Sequence, residues 1–246
     1  MAMELVHDTA YLLRQKESGE TSQIVHLFTK KSGRVIVIAK GARQPKSHFS
    51  GYFQPFSELA VQYYYKEGRP YHFLSKIEFQ TLRLPLLQAH KSALYGMILL
   101  EMADKTAEAS PDEGLYELMS DSFTRLNEIG AVPEAIHCHF ILRFLENHGL
   151  GLNLDACAAC GEALYDAAVS ERDAHLLCPR CYGGHAARIF LSAAELNILR
   201  DPFGGKNAIF QREVINLNHH LWQILGLHFD RLQRLNTIET MGKILE

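Results

Sequence analysis

Residues 21–44, TSQIVHLFTKKSGRVIVIAKGARQ, read as two strands and a turn. Val, Ile, Leu and Phe crowd both halves, and Lys30-Lys31-Ser32-Gly33 between them suits a tight hairpin connection. Working outward, ELVHDTAYLLR (4–14) precedes this pair, and SELAVQYYYK (57–66) and YHFLSKIEF (71–79) follow it. Lys66-Glu67-Gly68-Arg69-Pro70 supplies the last turn. In the third strand Val35, Val37 and Ala39 alternate with Ile36, Ile38 and Lys40, the pattern of a strand buried on both faces. Five strands in about eighty residues predict a small closed barrel. An SH3-like barrel is possible, but the basic exit from the third strand fits an OB-fold better.

After Arg83 the apolar period becomes helical, with Leu86, Leu87, Leu94, Met97, Ile98 and Met102. Ser110-Pro111-Asp112-Glu113 predicts a helix start with Ser110 as cap, and that helix ends near Gly130. Another runs from about Pro133 to Gly149, with Ile136, Phe140, Phe144 and Leu145 on one face. Ser192-Ala193-Ala194-Glu195 repeats the capping signal, and a long helix follows from about Arg212. The expected class is therefore α+β: an OB-fold over 1–80, then a helical body over 81–246 that carries a four-cysteine, zinc-finger-like loop over 155–185.

The 246 residues are 47% hydrophobic, ordinary for a folded protein. No run of eighteen apolar residues occurs and the first residues lack a basic leader, so the expected location is the cytoplasm. The net charge of -3 hides an asymmetry. From Thr21 to Ser57 there is no Asp or Glu, while Lys30, Lys31, Arg34, Lys40, Arg43 and Lys46 lie there. From Thr81 to Gly149 ten acids face five bases. A carboxylate-free stretch on a barrel suggests a surface for polyanions. Lys40, Arg43, Lys46 and His48 interleave with Phe49, Tyr52 and Phe53, the cations and rings that single-strand binders combine. The bland alternative is rings in the core and cations in water.

Cys157, Cys160, Cys178 and Cys181 form C-x2-C-x17-C-x2-C. In a reducing compartment that spacing points to a structural zinc site, with a redox dithiol or a degenerate empty site as alternatives. Four thiolates would leave no open coordination position. Other chemistry fails on the residues: no His has Glu two positions on, and H-E-x-x-H and G-x-S-x-G are absent. Phe203-Gly204-Gly205-Lys206-Asn207 lacks the first glycine and the Ser/Thr of a phosphate loop. Cys138, between His137 and His139 on one helix, reads as a packed thiol. No catalytic constellation is legible, and the chain reads as a non-enzyme.

The stretches SGETSQIVHLFTKKSGRVIVIAKGARQPKSHFSGYFQPF and FILRFLENHGLGLNLDACAACG resemble, in order, the bacterial recombination mediator family RecO, through E-T-S, G-R, K-G-A-R and Q-P-F elements and an F-x-L-R helix before the first cysteine pair. The resemblance implies an OB-fold, a helical body and a zinc region that some members lack. It implies binding of single- and double-stranded DNA, strand annealing, and work with RecR and single-strand-binding protein to load RecA at the nucleoid. It places DNA contacts at Arg34, Lys40 and Arg43, with Lys46 beside them. Departures are Ile141 where many members carry Glu, Asn153 near an expected proline, and a tail without the usual basic run. Single-strand-binding protein ends in an acidic tail with a terminal phenylalanine, so its receptor needs a cation beside an apolar pocket. Of Arg83, Lys91, Lys105, Arg125 and Arg143, the last is favoured, against the reading that it merely pairs with Glu146. A zinc-stabilised RNA-binding or transcription-associated adaptor is the alternative function, since basic OB loops do not by themselves separate DNA from RNA.

Overall fold

The computed structural model describes residues 3–170, 172–183, 187–204 and 208–238. These fall into two compact units, one of 3–128 with 237 and 238, the other between 129 and 236. Among the described residues no helix is long and apolar enough to cross a membrane.

The first unit opens with the five expected strands, β1 (Glu4–Ser18), β2 (Ser22–Thr29), β3 (Gly33–Ala39), β4 (Glu58–Tyr65) and β5 (His72–Thr81). They close into a barrel in the order β1-β2-β3-β5-β4, the OB-fold arrangement. β1 is long enough to pair with β4 through its first half and β2 through its second, bending at a bulge between Leu12 and Arg14. Closure between β3 and β5 is parallel and brief, only Val37 with His72 and Ile38 with Phe73. Val25, Leu27, Val35, Val37, Leu59, Val61 and Leu74 fill the interior. The reading of β3 as buried on both faces is corrected: Val35, Val37 and Ala39 point inward, while Arg34, Ile36 and Ile38 remain partly exposed on the outside. A closed barrel has one interior, so its strands alternate. Gly33 ends the β2–β3 turn at φ +66, and a Cβ there would stand 2.0 Å from the Ser110 carbonyl oxygen. Glycine permits both the dihedral and the close approach.

Three helices follow in the same unit, α1 (Leu84–Gln88), α2 (His90–Thr106) and α3 (Glu113–Leu126). The cap of α3 is Asp112, whose carboxylate accepts from the Leu115 N–H at 2.9 Å, so the predicted start at Ser110 is two residues early. The carbonyls of Glu108 and Ser110 are drawn instead against β3, where Glu108 accepts from Arg34 N–H at 2.7 Å. Part of the barrel's outer wall is thus packed, with Tyr11 and Phe28 against Tyr116, and Tyr11 and Phe56 against Phe123. Arg83 is buried there, donating to the Phe56 carbonyl at 3.0 Å and the Thr124 hydroxyl at 3.2 Å. Phe56 holds φ +66 with its ring over Gly96, where a Cβ would be 2.8 Å away.

In the second unit, α4 (Pro133–Asn147) packs on α7 (Ala208–His228). α4 stops before Gly149 at φ +73, as expected, and α7 begins four residues before the predicted Arg212. The strands β6 (Ala167–Val169), β7 (Leu176–Leu177) and β8 (Phe190–Leu191) form a small sheet, with the turn helix α5 (Pro179–Tyr182) after β7. α6 (Ala193–Arg200) starts on the predicted capping box of Ser192 and Glu195. The buried side chains of His137 and Asn218 hydrogen-bond across the α4–α7 seam, and the Asn218 amide donates to Glu134 and Val214 carbonyls. Ile141, a departure from the resemblance, is fully buried on α4.

Candidate nucleic-acid interface and metal centre

The carboxylate-free stretch of the sequence is not carboxylate-free in space. Asp104 on α2 holds Arg34 at 2.8 Å and Arg14 at 3.0 Å. Glu117 and Glu113 on α3 take Lys30 at 2.5 and 4.0 Å. Glu17, at the end of β1, takes Arg43 at 3.0 Å. The acidic middle of the sequence therefore neutralises part of the basic front. Lys40 and Lys46 are exposed and make no ion pair among the described residues.

The rings also differ from expectation. Phe49 is 2% exposed in the barrel core, and Tyr52 and Phe53 pack against that core, with Tyr52 on Phe79 at 5.0 Å. The aromatic residues on the outside are others. Cross-strand pairing aligns Lys16, Ile24, Ile38, Phe73, Tyr64 and Leu5 in one row around the barrel's outer face. The Lys40 ammonium lies 4.3 Å from the centre of the Phe73 ring. The loop after β3 is tied to the β1–β2 turn, since Arg43 N–H donates to Thr21 O at 2.8 Å and its guanidinium reaches Gly19 O at 3.4 Å. Lys16, Lys40 and Arg43 thus gather beside an apolar and aromatic row. A surface of that kind offers cations to phosphates and flat apolar area to bases. Strand register was the signal that would have found Phe73 and Tyr64, and composition alone does not contain it.

In the second unit the four cysteines converge, every Sγ within 4.8 Å of the others. Cys160 and Cys178 sulfurs are 3.9 Å apart. Sulfurs on a tetrahedral ion with 2.3 Å bonds stand about 3.8 Å from one another, so the donor set fits a tetrahedral thiophilic metal. Burial raises the Cys157 thiol, but backbone N–H groups of Cys178, Cys160 and Ala159 outweigh it and draw it down to about 6. Cys181 moves the other way, up to about 12, by sharing hydrogens with Cys160 and Cys178 and by burial. One thiolate is favoured and a second is opposed, the behaviour of a cluster that needs a cation to ionise fully. Arg180 on the second knuckle pairs with Glu162 beside the first at 2.7 Å. Arg200 on α6 donates to the carbonyls of Leu154 and Leu164 at 2.7 and 2.8 Å, fixing the base of the first knuckle. Asn153 holds the approach to that knuckle, accepting from the N–H groups of Asp155 and Ala156, both at 3.1 Å.

Cys138 is fully buried, and burial pushes its thiol far up, as a packed thiol requires. Gly205, Lys206 and Asn207 of the loop after α6 lie outside the described residues, as do Glu171, Gly184 and His185 of the cysteine loop. Arg143 is half exposed and bonded to Glu146 at 2.5 Å. Arg83 is buried, and Arg125 and Lys105 pair with Asp121 and Glu101 on their own helices.

Comparison with known proteins agrees in order along the chain. The family described as "Recombination protein O N terminal" matches residues 3–82, and "Recombination protein O C terminal" matches 88–216. The DNA repair protein RecO of Alkaliphilus metalliredigens is 27% identical over 248 residues, 98% of this chain and 100% of that one. That of Bacillus velezensis is 31% identical over 194 residues, 77% of this chain and 73% of the relative. That of Shouchella clausii is 34% identical over 178 residues, 70% of this chain and 67% of the relative. A closed OB barrel, a helical unit with four gathered cysteines, and these matches lead to one conclusion: the chain belongs to the RecO family of DNA repair proteins.

Proposed function

We propose that the chain is a non-enzymatic recombination mediator of the cytoplasm and nucleoid. It binds single- and double-stranded DNA on the outer face of the barrel, anneals complementary strands and, with RecR and single-strand-binding protein, promotes RecA loading. The observation that carries the reading is the Lys40 ammonium over Phe73, in a row with Ile38, Ile24 and Tyr64. Phosphates meet Lys40, Lys46 and Lys16, with Arg43 shared between Glu17 and DNA. Arg34 contributes through the shape of β3 rather than through a free charge, because Asp104 occupies it. Bases lie along the apolar row, which is indifferent to sequence because every base has a flat face.

The metal of the four cysteines is zinc in this reading, held by Cys157, Cys160, Cys178 and Cys181. Bound there, zinc supplies closure of the loop and no reactive position, since all four ligands come from the protein. The tail of single-strand-binding protein is assigned to the α4 surface at Arg143, which its exposure supports and its pairing with Glu146 opposes.

The test is annealing. Purified protein should accelerate pairing of complementary single strands without ATP, and Lys40→Ala should slow it. Binding that matched RNA competes away as well as DNA, with no gain in annealing rate, would favour an RNA adaptor instead.

A further inference from the structure

Among the described residues the barrel wall leaves an opening beside β3. β3 meets β5 only at Val37 and Ile38, so beside Arg34 to Ile36 the neighbour among the described residues is the 108–111 segment rather than a strand. The Arg34 N–H turns to that side to reach Glu108, and strand alternation sends the Ile36 N–H the same way. A groove of about 710 Å³ lies there. That is within the range of roughly 300–1,000 Å³ typical of small-ligand sites.

Its walls are rings and its ends are polar. Tyr63, Tyr65, His72 and Ile36 are among its lining, with the Tyr65 and His72 rings 4.6 Å apart. Tyr63 and Ser32 place two hydroxyls 3.1 Å apart on the lining. Two cations border it. Arg69 is exposed in the β4–β5 turn and makes no ion pair among the described residues. Arg34 spends one Nη on Asp104, while its buried Nε has no acceptor among the described residues. One acid, Glu4, also lines the groove, as the cross-strand neighbour of Tyr65. Tyr65 and His72 are the sequence neighbours of Tyr64 and Phe73 of the outer row, so the groove and the row share the β4–β5 end of the barrel wall, on its two sides.

A planar body with apolar faces, polar edges and an attached anion matches this lining. We propose that the groove receives one unstacked base of single-stranded DNA between Tyr65 and Ile36, with Arg69 on an adjoining phosphate. The inference rests on the reading of the barrel as a DNA-binding module and adds strand selection to it. A base in a duplex is stacked on both sides and does not enter, so the outer row serves both forms of DNA and the groove serves one.

Three probes separate the possibilities: an oligothymidylate, an abasic chain of equal length, and a duplex with equal phosphates. Wild type should bind the oligothymidylate at least about fivefold tighter than the abasic chain, since stacking on an aromatic ring is worth at least that factor per base. Tyr65→Ala should erase most of that preference and leave duplex affinity unchanged. Arg69→Ala, an exposed turn position, should weaken oligothymidylate binding about threefold or more without a change in melting temperature. Equal wild-type affinity for the abasic chain and the oligothymidylate overturns the groove assignment. So does an unchanged preference in folded Tyr65→Ala and Arg69→Ala, and if Lys40→Ala still weakens all three probes the barrel reading survives alone. Wild type that binds none of the probes overturns both.

Discussion

The carboxylate of Asp104 holds the guanidinium of Arg34 at 2.8 Å, across 70 residues of sequence, and this pair rather than a DNA phosphate accounts for Arg34 in the free protein. Arg34→Ala should therefore lower stability by about 1 kcal/mol, or a melting temperature by about 2–4 °C, because the pair is only partly exposed. The salt dependence of DNA binding should stay as in wild type. Thermal melting and a salt titration decide it, and a reduced slope at unchanged melting temperature would return Arg34 to the DNA surface.

Lys40 and Arg43 should separate in the same titration. Removing Lys40 should reduce the slope of log affinity against log salt by about 0.7 for single strands, one phosphate contact. Removing Arg43 should reduce it less, because Glu17 already holds it at 3.0 Å. Glu17→Gln should tighten binding by freeing that cation. Weaker binding by Glu17→Gln would show that the pair positions the loop rather than masking it.

For the cysteine cluster the expected result is one zinc per chain in reduced, freshly purified protein. Cys178→Ser should lose the metal and melt earlier, since both a ligand and a backbone donor to the Cys157 sulfur are disturbed. Metal analysis well below one zinc per chain in wild type would count against the site.

Burial holds His137 neutral, with its imidazole drawn down to about 4 even though Asn218 opposes the shift. Its folded value lies below the unfolded value near 6.5, so the unfolded chain binds the proton more readily. The stability this group contributes is complete above about pH 6.5 and declines as pH falls toward 4, by about 3 kcal/mol in all. His137→Gln should flatten that part of the stability profile, as measured by denaturant unfolding across pH 4–7. An unchanged slope would remove His137 as its source.

Arg143 is tested with a labelled peptide carrying the acidic tail of single-strand-binding protein. Arg143→Ala should weaken binding about tenfold in fluorescence anisotropy, and Glu146→Gln should strengthen it by releasing the guanidinium. Wild-type affinity in both variants would leave Arg143 with its helix-surface pair alone.

The strands, the turns and the cysteine cluster were legible because each rests on local rules: period-two patterning, turn glycines and knuckle spacing. The barrel's outer surface was not. Phe49, Tyr52 and Phe53 look like base platforms because they follow cations in sequence, yet the loop that carries them folds back over the barrel core. Phe73 and Tyr64 sit in separate strands, 9 residues apart by number, and become neighbours only through register. The G-R element turns out to seat the 108–110 segment, through Gly33 and the Arg34 N–H, while Lys40 and Arg43 of K-G-A-R face solvent. Ionic pairing was the least legible of all, since Asp104 and Glu17 approach from outside the stretch whose lack of acids suggested a bare basic face.

Arg83 has a bearing on how this protein can be dissected. A fragment ending near residue 80 would contain all five strands but not the guanidinium that satisfies the Phe56 carbonyl, nor Gly96, which leaves room for the Phe56 ring. It would also uncover Tyr11 and Phe28, both fully buried in the intact chain. Such a fragment would present a greasy wall beside its nucleic-acid face and would self-associate, so apparent DNA binding by it would report clumping as much as recognition. A piece suited to binding work keeps α1 to α3, whose side chains cover that wall, and the first compact unit also takes in 237 and 238, where Thr237 N–H donates to Glu101 at 2.8 Å.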